Sequence, residues 1–216
     1  MKGLTDNTSN VLTVIAQSDF LTEYTFIGGS ALAVQIEHRL SEDLDFCKWK
    51  SSVDNKPSVN WPEIEKYITP FGIKDRNILD FNQVDFFLKN GVKISFYANN
   101  LYTSPVKEKV NIAGNVYAPD IETIGAMKLE LMLRRASFRD YYDIYSILRE
   151  GKSIKNMVYE AGKYSGHTLK SKNILAFITN GENYRKEEGF VKLNPKYQVN
   201  EIDIEHFIKT CVKNEF

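Results

Sequence analysis

Cysteine is nearly missing from this chain: Cys47 and Cys211 are the only two in 216 residues. They lie far apart, with no ligand spacing around them, so neither a disulfide framework nor a zinc site is expected. Histidine is equally sparse, and His38, His167 and His206 are too scattered to form a metal set. Long apolar runs are missing too. Nothing approaches the ~18–20 residues of a membrane span, and Met1 to Phe20 carries polar residues throughout, unlike a signal peptide. The expectation is a cytoplasmic chain with no membrane partner. Net charge is zero, with 28 Lys/Arg against 28 Asp/Glu, so the global basic signature of nucleic-acid binding is lacking.

What is present suits a folded chain. Hydrophobic residues make up 43% and charged residues 26%, and the length allows one large domain or two small ones with a real core. The charge is skewed along the chain. Residues 1–50 hold 4 Lys/Arg against 7 Asp/Glu, whereas residues 151–200 hold 9 against 4. Two readings of that skew stand: a metal site in front with a polyanion surface behind, or lysines solvated on surface helices.

Hydrophobic periodicity predicts a first helix over residues 8–18. Tyr24 to Ile27 reads as a short strand stopped by Gly28-Gly29, Ser30 to Arg39 as a helix, and Leu44 to Trp49 as a strand. Residues 51–62 read as a loop leading into a helix over Pro62–Ile68. Gln83 to Lys89 and Val92 to Tyr97 flank Asn90-Gly91, a strong hairpin signal. From Pro119-Asp120 the pattern turns helical, with Asp120 as an N-cap. Ser137 followed by Asp140 suggests a capping box and a new helix running to Arg149, ended by Gly151. The tail is expected to be helical, interrupted around Asn180 to Pro195. The fold class is therefore α+β: a mixed sheet with flanking helices over residues 1–115, then a helical domain over residues 116–216.

The chemistry-bearing constellation is Gly28-Gly29-Ser30 followed by Asp43-Leu44-Asp45. A glycine turn entering a helix lets backbone N–H groups approach a phosphate, and the helix N-terminus favours negative charge. Residues i and i+2 of a strand share a face, so Asp43 and Asp45 together can grip a hard divalent cation. Such a cation neutralises a triphosphate and activates the attacking oxygen. Separately, Gly-Gly-Ser is usually a plain turn and Asp-x-Asp a solvated strand start. Their order and spacing, with Arg39 and Ser41 between them, favour a nucleotide site.

Phe26-Ile27-Gly28-Gly29-Ser30-Ala31-Leu32, then His38-Arg39-Leu40-Ser41-Glu42-Asp43-Leu44-Asp45-Phe46, resembles the AbiEii/AbiGii toxin family of nucleotidyltransferases. The resemblance continues in Ala126-Met127-Lys128-Leu129 and in Arg134 to Tyr145. It implies a polymerase-β-like core followed by a helical part, and a toxin of a type IV toxin–antitoxin or abortive-infection system. It implies transfer of a nucleotide from a nucleoside triphosphate to an acceptor, with RNA or tRNA as one candidate acceptor and protein another. It further implies Mg2+ or Mn2+ on Asp43 and Asp45, nucleotide contacts from Gly28, Gly29, Ser30 and Arg39, and Lys128 on the nucleotide phosphates. Asp140 becomes the candidate base or orienting residue. A cognate antitoxin is expected, not necessarily in direct contact.

Other readings stand beside these. Lys128 is an exposed lysine, Asp140 a helix cap, and Asp143 a partner of Arg139. The tail aromatics Tyr159, Tyr164, Phe177 and Tyr184 either pack a core or stack on bases. One departure from the family pattern carries weight: Ser95 in Gly91-Val92-Lys93-Ile94-Ser95-Phe96 stands where a third carboxylate is expected. With Asn90-Gly91 as a two-residue turn, Asp85 pairs with Phe96 and faces away from Ser95. That register favours the alternative of a degenerate nucleotide- or partner-binding module without turnover. An antibiotic-modifying nucleotidyltransferase shares the front motif, but the block from Lys128 to Asp143 argues against it.

Overall fold

The computed structural model describes every residue except Asn55, Phe81, Gly166 and His167. His167, one of the three scattered histidines, thus lies outside the described residues. The chain divides into two compact units, Met1–Asp120 and Ile121–Phe216.

In the first unit, helix Asp6–Ile15 (α1) and a 3-10 turn over Asp19–Glu23 lead to strand Thr25–Ile27 (β1). Helix Gly28–Ile36 (α2), strand Asp43–Lys50 (β2) and helix Trp61–Ile68 (α3) follow. Strands Ile73–Asp80 (β3), Gln83–Leu88 (β4) and Lys93–Thr103 (β5) complete a sheet in the order β1-β2-β5-β4-β3. β2 and β5 run parallel and the other neighbours antiparallel, so the sheet is mixed. A separate hairpin pairs Lys109–Ala113 (β6) with Val116–Pro119 (β7).

Alternation sorts the sheet's two faces. Leu44 and Phe46 of β2, Ile94 and Phe96 of β5, and Val84 and Phe86 of β4 are all fully buried. Phe46 stacks on Phe96 at 5.0 Å between ring centroids, and Tyr24 meets Phe96 edge-on at 5.2 Å. Burying each such side chain contributes about 1.5–3 kcal/mol before chain entropy is counted. This apolar face fixes the register, because a one-residue slip would turn the whole set outward. The opposite face must then carry Asp43, Asp45, Lys93, Ser95, Asp85 and Phe87.

The β4–β5 hairpin corrects the sequence-based register. Leu88 N–H donates to the Val92 carbonyl, and the loop holds three residues, with Gly91 at φ 88°. Glycine in the left-handed region closes such a three-residue loop, and it shifts the pairing by one. Asp85 is therefore the cross-strand partner of Ser95, not of Phe96. Strand β3 and the β6–β7 hairpin also went unanticipated, because β3 is exposed along nearly its whole length and lacks an apolar alternation.

The second unit is helical: Ile121–Met132 (α4), Phe138–Arg149 (α5), Ile154–Tyr164 (α6), Ser171–Ile178 (α7) and Glu201–Glu215 (α8). Short 3-10 turns over Gly181–Asn183 and Glu188–Leu193 fill the expected interruption. Asn200 and Asp203 form a reciprocal capping box at the start of α8. Tyr184 is fully buried and stacks on Tyr141 at 4.2 Å, with Phe177 edge-on to it, so these aromatics pack a core, while Tyr159 is exposed. The capping box expected at Ser137 does not form: Ser137 is the N-cap of α5 but makes no side-chain cap bond. The Asp140 carboxylate is committed elsewhere.

Candidate active site

β1 ends at Ile27, the neighbour of Asp45 on β2. Gly28 then turns the chain directly into α2 with φ 78°, a region that residues with a Cβ rarely adopt. A Cβ on Gly28 would lie 2.8 Å from Asp45 Oδ2, and one on Gly29 would lie 2.6 Å from Arg39 Nη2. The backbone at the start of α2 thus sits against a carboxylate on one side and a guanidinium on the other. The N-cap residue Ile27 makes no side-chain cap bond, and a helix start, whose first N–H groups lack intrahelical partners, favours an anion.

Ser30 is buried. Its Oγ lies 2.8 Å from Ser41 Oγ and donates to the Asp43 carbonyl, tying the start of α2 to the start of β2. Arg39 is also buried, and its Nη1 donates to the Leu40 carbonyl at 3.0 Å. The N-terminal residues brace the same segment: Ser41 N–H donates to the Gly3 carbonyl, Thr5 N–H to the Ser41 carbonyl, and Thr8 Oγ1 to the Glu42 carbonyl. Gly28, Gly29, Ser30, Arg39, Asp43 and Asp45, scattered over eighteen positions of sequence, are thereby gathered at one corner of the sheet.

Asp43 and Asp45 are half-buried, on the face opposite the apolar core. Across the parallel ladder, Lys93 neighbours Asp43 and Ser95 neighbours Asp45. One strand further, Asp85 partners Ser95. Asp85 Oδ2 lies 3.2 Å from Lys93 Nζ, and its Oδ1 accepts from Gln83 Nε2 at 3.3 Å. Sequence reasoning weighed Asp85 but turned it to the wrong face, and it assigned no role to Lys93 or Phe87. The signal that could have found them is the left-handed preference of Gly91 as the third residue of a three-residue loop.

The donor set bears on a metal. Among the described residues, no group of three or more His, Cys, Asp or Glu is placed to hold an ion, so Asp85 does not complete a protein cage with Asp43 and Asp45. Mg2+ is usually held by one or two carboxylates, with water and substrate phosphates supplying the rest. Two aspartates beside an uncapped helix start fit that manner of binding.

The second block forms a cluster of its own in the helical unit. Lys128 of α4 is buried, with Nζ 2.8 Å from Asp140 Oδ1 and 2.7 Å from Asp143 Oδ2. Arg135 Nε reaches Asp140 Oδ2 at 3.0 Å while its own side chain stays largely in solvent. Arg139 meets Glu187 at 3.4 Å. Burial alone would raise the Asp140 pKa, but the Lys128 and Arg135 charges outweigh it and hold this carboxyl below the usual range. Lys128 is therefore not the exposed lysine of the simplest reading.

With this geometry in view, the comparisons with known proteins agree. The family model described as nucleotidyl transferase AbiEii toxin, type IV toxin–antitoxin system, matches residues 10–214. An uncharacterized protein of Aquifex aeolicus is 24% identical over 99% of this chain and 98% of its own length. Among solved structures, MenT4, a nucleotidyltransferase toxin from Mycobacterium tuberculosis, superposes with a TM-score of 0.60 at 13% identity, covering 95% of this chain and 80% of that one. Likeness at that identity speaks for the fold alone. The Megavirus polyadenylate synthase aligns over 66% of this chain and 32% of its own, with a TM-score of 0.44 and 12% identity. No helix is long and apolar enough to cross a membrane among the described residues. The match across nearly the whole chain decides the matter: this protein belongs to the AbiEii family of nucleotidyltransferase toxins of type IV toxin–antitoxin systems.

Proposed function

We propose that this chain is a cytoplasmic nucleotidyltransferase toxin that moves a nucleotide from a nucleoside triphosphate to an acceptor hydroxyl, with Asp43 and Asp45 as ligands of Mg2+ or Mn2+. The observation that carries this reading is the close approach of Gly28 to Asp45, so close that a Cβ on the glycine would lie 2.8 Å from the carboxylate oxygen. It supports a phosphate cradle at the start of α2 beside a pair of cation ligands on β2. The backbone N–H groups from Gly28 to Ser30 receive the triphosphate. The Ser30 hydroxyl, engaged with Ser41 and the Asp43 carbonyl, fixes the cradle against the carboxylates. Arg39 lies beneath Gly29 and adds positive charge there. A bound divalent ion would supply charge neutralisation along the triphosphate and a lowered pKa for the acceptor hydroxyl.

In the transfer, the acceptor oxygen forms a bond to the α-phosphorus while the bond from that phosphorus to the bridging oxygen breaks. Pyrophosphate leaves, and the hydroxyl proton passes to a base. The family resemblance gives Lys128 to phosphate and offers Asp140 as base or orienting residue. A carboxylate with a depressed pKa and two cationic partners is a weak base, so Asp140 is assigned the orienting role, holding Lys128 and Arg135.

Calorimetric titration of each nucleoside triphosphate with Mg2+, comparing wild type with Asp43→Ala, tests the site. Metal-dependent binding in the wild type, lost in the variant, is expected, together with loss of triphosphate-dependent labelling of an acceptor. Equal labelling by both proteins would sink the assignment. The second reading, binding without turnover, draws on Ser95 in place of a third carboxylate. It predicts triphosphate binding by the wild type with no labelling until Ser95→Asp is introduced.

A further inference from the structure

Away from the nucleotide site, the helical unit holds a guanidinium clamped between aromatic rings. Arg149 stands exposed on the last turn of α5, one turn beyond the buried Tyr145. Its guanidinium carbon lies 5.8 Å from the centroid of the Tyr145 ring, 5.0 Å from that of Tyr197 and 5.5 Å from that of Phe207 on α8. Tyr145 meets the other two rings edge-on, at 5.5 Å and 5.1 Å. Arg149 Nη1 also donates to Tyr145 Oη at 3.0 Å. Three rings and one hydrogen bond thus fix the orientation of a side chain that is otherwise rich in rotamers.

Most of its donors are left over. A guanidinium has five N–H bonds, and among the described residues only the one to Tyr145 finds an acceptor. Arg76, Arg134, Arg135 and Arg139 each meet an acid, whereas among the described residues no carboxylate pairs with Arg149. The acids beside this cluster in sequence are committed. Glu150 Oε1 lies 3.2 Å from Lys196 Nζ, and Asp203, one turn before Phe207, accepts from the Asn200 N–H at 3.0 Å in the α8 capping box. Lys196 and Glu150 balance each other, so Arg149 adds an uncompensated positive charge.

That charge has a matching ligand. A carboxylate carries one negative charge, and its two oxygens fit the guanidinium fork. A phosphate dianion would face the Glu150 carboxylate with a single unpaired cation to hold it. Tyr197 and Phe207 are half-buried, which leaves ring surface for apolar groups next to the carboxylate. Tyrosine and arginine are residues on which protein interfaces concentrate binding energy, and a guanidinium oriented in advance loses less freedom on binding. The helical unit, with 16 Lys/Arg against 13 Asp/Glu, attracts an acidic chain.

We propose that Arg149, Tyr197 and Phe207 form a docking site for an acidic segment of a partner protein. An aspartate or glutamate carboxylate sits on the guanidinium, and a neighbouring apolar side chain rests against the rings. The site lies within the helical unit and is independent of the nucleotide reading.

The test is fluorescence anisotropy on the full chain with two labelled short peptides, one alternating Glu with Leu and the other Gln with Leu. The Arg149 Nε–H signal in NMR spectra is followed beside it. The Glu peptide is expected to bind and to move that signal, and the Gln peptide to do neither. Arg149→Met keeps an apolar stem against the rings without the fork. It should weaken binding by about tenfold or more, and it reports the lost guanidinium even if Arg149→Ala disturbs the packing. Arg149→Lys, a cation without the planar fork, should recover only part of that loss. Glu150→Gln releases Lys196 and should strengthen binding. Equal affinity of wild type and Arg149→Met for the Glu peptide would overturn the proposal, as would a wild type that binds both peptides equally or neither. Glutarate or inorganic phosphate that moves the Arg149 signal at the peptide's concentration would overturn it too, in favour of a free anion.

Discussion

Gly28 and Asp45 occupy the same small space: a methyl group on the first would lie 2.8 Å from a carboxylate oxygen of the second. The glycine also sits at φ 78°, so Gly28→Ala carries two penalties. The left-handed backbone costs about 1–2 kcal/mol, which urea unfolding would register. The displaced Asp45 carboxylate should cost metal-dependent triphosphate affinity beyond that. Calorimetry on the folded fraction separates the two, and a destabilised variant with full affinity would mean that the Asp45 contact is not used in binding.

Ser95 stands between Asp45 and Asp85, in register with both. Ser95→Asp therefore places three carboxylates abreast on one face. Without a divalent ion, like charges on adjacent strands should destabilise the protein by about 1 kcal/mol, and added Mg2+ or Mn2+ should restore the melting temperature more than in the wild type. Thermal melts with and without the ion measure this. No difference between the two proteins would mean that residue 95 does not share a field with Asp45.

The front of the site was legible in the sequence, because its parts are local. Gly28-Gly29-Ser30 and Asp43-Leu44-Asp45 lie on consecutive elements, and strand alternation gives the shared face of the two aspartates. Asp85 was misread for a physical reason. Its face depends on the length of the loop around Asn90-Gly91, and one residue more in that loop reverses every side chain of β4. β3 gave no signal because its pairing with β4 buries little apolar surface. Lys128 and Asp140 were found through family resemblance, but their buried pairing, and the failure of Ser137 to cap α5, depend on how α4 and α5 pack, which spacing does not reveal.

The Lys128 cluster sets a buried ammonium and the more exposed Arg135 guanidinium against two buried carboxylates. Removing one member leaves an uncompensated charge in a poorly solvated place, which costs about 3–5 kcal/mol. Lys128→Met and Asp140→Asn should each lower stability on that scale in urea unfolding. The double variant should lose much less than the sum, since the shared partner is gone. Additive losses would mean that the 2.8 Å pair does not couple the two residues.

Acid should reveal the same network. Asp140 has a depressed pKa in the folded state, despite the opposing effect of burial, because Lys128 and Arg135 favour its ionised form. A carboxyl that is more acidic folded than unfolded stabilises the fold fully above its unfolded value, about 3.9. That stabilisation is lost as pH falls through the lower folded value. The stability gap between wild type and Asp140→Asn, followed by urea unfolding, should thus be constant near neutrality and narrow below about pH 4. Glu215, which accepts from Ser153 Oγ and the Ile154 and Lys155 N–H groups, is also depressed. Some acid sensitivity should therefore persist in Asp140→Asn, and Glu215→Gln introduced into that background should reduce it further. A gap that stays constant through the acid range would show that Asp140 does not lose its partners by protonation.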